Sequence, residues 1–429
     1  MKFGRNLTIF SWAMYDFAST IFSMNVITLY FALWVTVDMH HQDIFYSLSY
    51  SGSMLFAAII APMIGTVSDH LHKKMPFLIV LTLVTVIFTA LIGLTHEFFL
   101  ALIFFAIANF CFQLGDIIYN ALLPDVSEGK EIGKVSGFGK GIAYLGTIVG
   151  LVIISPFAIR HGRHATFIPS AVIFLIFALP CFILVKDKKQ FQLTKHKIKW
   201  LKTTRQSFKE IKQTIRNIKK YQGLGSFLFA IFLAFNAINT VFIFMSVYTQ
   251  KVIGFDDAKI VTFYIVSSGC AIIGSLFSGY MTDKLGAKQT LSYSLWLWLI
   301  TLIVVTLTQN PIVFWVLGPI IGLGMGATWT SARTLATKLS PQNRYGEIFG
   351  FYGLVIKLAA IVGPLVWGGI VLTFNSMGLI KYHLAIASLA LFILLSLLVL
   401  RKVPSPDIAL SKNIGMQHPR ETTTESLDL

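Results

Sequence analysis

The chain is short of charge, of cysteine and of catalytic signatures, and each shortage removes a class of function. Charged residues make up 13% of the 429 positions, and only 19 of them are acidic. A soluble domain carries about a quarter charged residues to cover its surface. With 55% hydrophobic residues and a mean hydropathy of +0.73, lipid must solvate much of this chain. Cys111, Cys181 and Cys270 lie far apart inside apolar stretches, which excludes a disulfide framework and a cysteine metal site. No G-x-x-x-x-G-K-S/T loop is present, so ATP is not the energy source by that route. No H-E-x-x-H or G-x-S-x-G run points to a membrane hydrolase. The expectation is a non-enzyme with no cofactor and no metal site.

Twelve apolar stretches are present, each near the ~20 residues that a membrane-crossing helix needs. They cover 9–35, 46–67, 76–94, 98–122, 135–156, 167–185, 225–248, 260–281, 290–308, 312–335, 348–374 and 382–400. The first is too long for a cleavable leader and reads as a helix of the bundle. The net charge of +16 would suggest a nucleic-acid partner in a soluble protein, but its distribution excludes one. Residues 186–220 hold 13 Lys/Arg against Asp187 and Glu210, which supplies +11 of the +16. With the N-terminus placed in the cytoplasm, 28 of the 35 basic residues fall on that side. Arg160, Arg163, Lys251, Lys259 and Lys381 fall outside, and Lys140 and Lys357 lie within helices. The positive-inside rule therefore puts both termini in the cytoplasm of a multi-pass protein, expected in a bacterial inner membrane. Within the basic bridge, Leu201, Phe208, Ile211, Ile215 and Ile218 share one helical face. That spacing predicts an amphipathic helix lying on the lipid surface.

One ten-residue segment occurs twice. Gly65-Thr66-Val67-Ser68-Asp69-His70-Leu71-His72-Lys73-Lys74 returns as Gly279-Tyr280-Met281-Thr282-Asp283-Lys284-Leu285-Gly286-Ala287-Lys288, offset by 214 residues, half the chain. The offset pairs the first six helices with the last six, as in duplicated transporters. The domains expected are an N-terminal six-helix bundle over 1–185, the basic linker over 186–223, a C-terminal six-helix bundle over 224–401 and a flexible cytoplasmic tail over 402–429. The repeat is read as an eight- or nine-residue link between antiparallel helices. It resembles the G-x-x-x-D-R-x-G-R-R signature of the major facilitator superfamily. That resemblance implies an all-α membrane protein, twelve transmembrane helices in two six-helix bundles. It also implies a conformational latch of Gly65, Asp69, Gly279 and Asp283. Asp69 would dock on the start of the eleventh helix, and Asp283 on the start of the fifth with help from Arg333. The alternative is a solvated turn that only enforces topology.

Ionisable residues inside a membrane cost about 2.5–3.5 kcal/mol each on insertion scales and default to functional candidates. Asp16 in the first helix and Lys357 in the eleventh sit near mid-bilayer, one in each half. Together they match a zwitterion: Lys357 for a carboxylate, Asp16 for an amine or a coupling proton. A salt bridge between the two is the structural alternative. Lys140 is read as snorkelling to the interface, with Asp116 as an ion-pair partner. Tyr15, Asn25, Asn120, Asn236 and Asn239 complete the substrate- or proton-binding candidates. Asn236 and Asn239 share a face, which suits either a polar solute or helix-to-helix bonding.

Four segments together resemble the vacuole-effluxer family of that superfamily. They are Trp12-Ala13-Met14-Tyr15-Asp16-Phe17-Ala18; Tyr119 to Pro124 with Val135-Ser136-Gly137-Phe138-Gly139; Arg333-Thr334-Leu335; and Pro341 to Arg344 with Glu347 and Phe349-Gly350-Phe351-Tyr352. The resemblance implies secondary active transport by alternating access of a small polar solute, with amino acids as its fungal members' cargo and protons as coupling ion. The alternatives are export of amphipathic drug-like or lipid-like compounds, and a non-transporting receptor or assembly factor. The expected partners are the solute, the proton and the bilayer, with the protein a monomer.

Overall fold

The computed structural model describes residues 2–71, 74–127, 132–187, 223–340 and 345–405. Among them, twelve helices are long and apolar enough to cross a bilayer. They are α1 Lys2–Phe22, α2 Asp43–Leu71, α3 Lys74–Ile92, α4 Phe98–Ala121, α5 Ile132–His161, α6 Phe167–Leu184, α7 Leu224–Tyr248, α8 Asp257–Leu285, α9 Ala287–Leu307, α10 Pro311–Leu339, α11 Tyr345–Thr373 and α12 Ile380–Leu400. Lipid offers the backbone no hydrogen bonds, so apolar runs of this length satisfy their own N–H and C=O groups as helices. Polar residues set several starts. Asp256 accepts the Lys259 N–H at 2.8 Å ahead of α8. Asn310 accepts the Ile312 N–H at 2.9 Å, with Pro311 in the first position of α10, where its missing N–H costs nothing.

Helices α1 and α7 hold matching places in the two halves and share an unusual shape. The first continues without a break to Asp38 through π-helical turns at Ser23–Tyr30 and Trp34–Asp38; the seventh continues through a π-helical turn at Thr249–Ile253. They are also the most enclosed helices, 83% and 78% buried where the other ten reach only 33–50%. The centre of the molecule is therefore the seam between α1 and α7. Across it the Ser246 hydroxyl donates to the Thr28 carbonyl at 2.9 Å. The halves also meet where α2 packs on α11 and α5 on α8, with Ser51 donating to the Ile361 carbonyl at 2.9 Å. Two ends can be distinguished. The linker end carries the start of α1, the end of α6 and the start of α7; the distal end carries the turn from α1 into α2 and its counterpart from α7 into α8.

The repeated segment is mostly helix rather than link. Gly279 to Leu285 form the last turns of α8, and Gly286 alone separates them from α9. No helix breaker precedes Gly286, which stands at φ +91°, a conformation glycine adopts without a Cβ penalty. In the first copy Gly65 and Asp69 likewise fall within α2. His72, the counterpart of Gly286, lies outside the described residues, as do the Asp69 side chain, the amphipathic stretch of the linker and residues 406–429. On the same face, Asp187 caps the start of α3, accepting the N–H groups of Lys74 and Met75 at 3.1 Å. Lys288, offset by 214 from Lys74, donates to the carbonyls of Arg401 and Val403 beyond α12. Each half thus ties its third helix to the exit of its sixth.

Candidate functional site

Close packing of α1 on α5 brings an acid and a base together inside the N-terminal half. Gly139 lies under the Trp12 ring, where an added Cβ would come within 2.7 Å of it. A Cβ on Gly150 would meet the Asn25 and Ile21 side chains at 2.8–3.0 Å. Small residues at these positions let the two backbones approach. At that approach the Lys140 ammonium reaches the Asp16 carboxylate at 2.8 Å. Asp16 lies 11 residues past Arg5, about 16 Å along the helix. Its side chain is 6% exposed, that of Lys140 46%. The pair is therefore a buried carboxylate bonded to a lysine whose side chain is half exposed. Ser19 adds a 3.5 Å contact to the same carboxylate. Beside it, Tyr119 stacks between Trp12 and Tyr15 at ring separations of 4.7 and 5.0 Å. The buried Tyr119 hydroxyl has no hydrogen-bond partner among the described residues.

The Asp16–Lys140 pair replaces two sequence expectations. Lys140 does not snorkel away from the bundle, because the glycine-lined contact puts a carboxylate within its reach. The salt bridge considered between Asp16 and Lys357 is not formed. Lys357 instead crosses to the other half and donates to the Gln113 side chain of α4 at 3.4 Å. Asp116, one turn further along α4, lies within electrostatic reach of both Lys140 and Lys357. Its carboxylate forms no ion pair or hydrogen bond among the described residues. Arg333 of α10 also lies within electrostatic reach of Lys140. The cluster of Asp16, Lys140, Asp116, Lys357 and Arg333 therefore draws on both halves.

The uncharged candidates divide. Tyr15 faces α3, its hydroxyl 2.9 Å from that of Thr82, and belongs to the N-terminal core. Asn25 and Asn236 are wholly buried. Each spends its amide on its own helix, donating to Ile21 and Phe232 at 2.9 and 2.6 Å. The carbonyl oxygen of each has no partner among the described residues. Asn239 makes a 3.5 Å contact with the Ile356 carbonyl of α11, which suits helix-to-helix bonding. Asn120 is exposed and donates to the Asp116 carbonyl at 2.8 Å. Asp283 and Arg333 are exposed at the linker end, and their side chains make no hydrogen bond or ion pair among the described residues.

The distal end is closed by charges that local sequence reading left in separate loops. Arg163, in the turn between α5 and α6, binds Asp38 of its own half at 2.5 Å and Asp257 of the other at 2.6 Å. It also donates to Gln250 at 2.7 Å. Asp43, at the start of α2 and 1% exposed, accepts from the Trp367 indole at 3.0 Å and the Tyr382 hydroxyl at 3.4 Å. Lys251 stands 3.5 Å from it. At the linker end the described residues of the two halves are packed less closely. Phe138 is 45% exposed, and among the described residues nothing lies within 4 Å of where a Cβ would sit on Gly137, Gly141, Gly350 or Gly353.

The chain resembles known proteins in sequence and in fold. A family model described as vacuole effluxer Atg22 like matches residues 39–406. The chain belongs to that family. It is 24% identical to an uncharacterized MFS-type transporter, YxiO, of Bacillus subtilis, over 94% of this chain and 97% of that one. It is 22% identical to a multidrug resistance protein, MdtG, of Salmonella typhimurium, over 86% and 89%. In fold it resembles the crystal structure of the nucleoside transporter NupG, with a TM-score of 0.72 at 14% identity over 92% and 98%. The fold is that of the major facilitator superfamily. This family member is a multi-pass membrane transporter and not an enzyme.

Proposed function

We propose that this member of the vacuole-effluxer family moves a small polar solute, of the amino-acid class, by alternating access coupled to protons. The observation that carries the reading is the pairing of a sealed distal end with a half-exposed charge cluster facing the linker end. A transporter holding its site open to one side has that shape. In this reading Lys357 and Lys140 receive the carboxylate of a zwitterion. Asp116, unpaired between them, receives its amine, and Asp16 carries the coupling proton when Lys140 turns to the solute. The linker end faces the cytoplasm, as the distribution of 28 basic residues against five supports. A cysteine at His40 is then labelled by impermeant reagents only from outside. The membrane is the bacterial inner membrane, and the working unit is a monomer.

Counterflow in proteoliposomes tests this directly. Protein reconstituted with an amino-acid pool inside should draw in labelled amino acid, and an imposed proton gradient should drive accumulation. Binding without counterflow would make the protein a receptor. Counterflow confined to hydrophobic cations would favour export of amphipathic compounds, a reading in keeping with its likeness to a multidrug resistance protein.

A further inference from the structure

The distal seal leaves one cavity beside it. It measures about 330 Å³ and is lined by His41 and Gln42 of the N-terminal half and by Lys251, Asn375, Lys381 and Tyr382 of the C-terminal half. Its one acid is Asp43, already satisfied by Trp367, Tyr382 and Lys251. The two lysines are not balanced by that single carboxylate. Each ammonium group lies over the same ring, 5.8 Å and 5.4 Å from the Tyr382 centroid. The ring attracts each weakly, but two like charges lining one cavity repel. Lys381 makes no ion pair among the described residues and donates only to the Asn375 side chain, at 2.6 Å. The lining residues sit at the ends of α1, α7 and α11 and the start of α12, where spans of about twenty residues run out of hydrocarbon.

We propose that this cavity binds a small oxyanion of the phosphate class, held between Lys251 and Lys381. The bound group removes the repulsion between the lysines and accepts from their ammonium groups, bonds stronger than those to neutral donors. Because the lining comes from both halves, occupancy also favours the state in which the distal end is closed. The phosphate is either a free ion or the headgroup of an anionic lipid.

The test uses the full-length protein in neutral detergent. Thermal unfolding is followed while inorganic phosphate replaces chloride at constant ionic strength. Phosphate should raise the unfolding temperature saturably. Lys381→Gln should weaken that response about tenfold, the loss of one charge-assisted bond, and Lys381→Arg should restore it. Among the described residues Lys381 forms no ion pair and donates only to Asn375, so the variant keeps the seal, and its unfolding temperature in chloride checks this. A response equal to that in chloride, or one unchanged in Lys381→Gln, overturns the proposal. Nanodiscs identify the source. If phosphatidylglycerol abolishes the response to added phosphate in the native protein, and itself stabilises that protein but not Lys381→Gln, the ligand is a headgroup. If the response persists in both phosphatidylglycerol and phosphatidylcholine discs, the ligand is the free ion.

Discussion

The two ends of the bundle are built from the same kinds of residue and hold opposite states. At the distal end, Arg163, Lys251, Asp43 and Asp257 lock one half against the other. Toward the linker end, the mid-helix Lys140 and Asp16 pair within one half, while the side chains of Asp283 and Arg333 are exposed and form no ion pair among the described residues. Charges that bridge halves fix the relative position of the two bundles; charges that pair within a half leave that position free. In the proposed alternating access, the equilibrium between outward and inward states is set by which end has its cross-half pairs made.

The largest effect should come from breaking the distal seal. Arg163→Ala leaves Asp38 and Asp257 facing each other without a cation. Truncating one partner of a hydrogen-bonded charge pair costs about 2–5 kcal/mol, at least thirtyfold in the equilibrium between states. The distal end should open, so that a cysteine placed at His41 gains labelling from outside, and transport should collapse. Unchanged labelling would mean that packing alone closes this end.

Next is Asp16→Asn, which leaves Lys140 without its counter-charge. Proton-driven accumulation should vanish while exchange of solute in part survives, as measured in proteoliposomes with and without a gradient. A purely structural ion pair behaves otherwise: the single variant is unstable, and Asp16→Asn with Lys140→Gln recovers folding and flux together. Lys357→Gln should be smaller and selective, weakening half-saturation about tenfold for carboxylate-bearing solutes and leaving their amide analogues unchanged. Equal weakening of both would place Lys357 in the helix crossing and not in the site.

Asp283→Asn should have the smallest effect. A carboxylate at an exposed helix N-terminus is worth about 0.3–1 kcal/mol. In the proposed cycle that attraction acts when the linker end closes. Transport should fall by less than about fivefold, with solute affinity unchanged. No change in flux or in labelling at either end would reduce the repeated segment to a topological device.

How much of this was legible in the sequence follows from the range of each interaction. The twelve helices were, since an apolar run of twenty residues has one solution in lipid. Asp16 and Lys357 stood out for the same reason, as charges in the wrong solvent. Their partners did not. Lys140 finds Asp16 because Gly139 and Gly150 set how closely α5 lies on α1, and no periodicity along one helix states which neighbour its glycines face. Gln113 carries no charge to attract notice. Asp43, Arg163 and Asp257 read as ordinary ends of spans, since their pairing depends on two halves more than 90 residues apart in the chain. The repeated segment was read as a loop because its Gly and Asp suggest turns. In the second copy the structure keeps it helical up to Gly286, where the backbone leaves the helical region.

The central claim is that the two ends open in alternation. Distances between spin labels test it most directly, with one pair at Phe138 and Gly353 on the linker end and another at His40 and Asn375 on the distal end. The measurement is made in nanodiscs at two pH values, with and without the amino acid that supports counterflow. As conditions shift the equilibrium, the linker-end distance should shorten while the distal-end distance lengthens, and Arg163→Ala should move both the same way without solute. Distances that change at one end only, or that lengthen at both ends together, would contradict alternating access around this cluster.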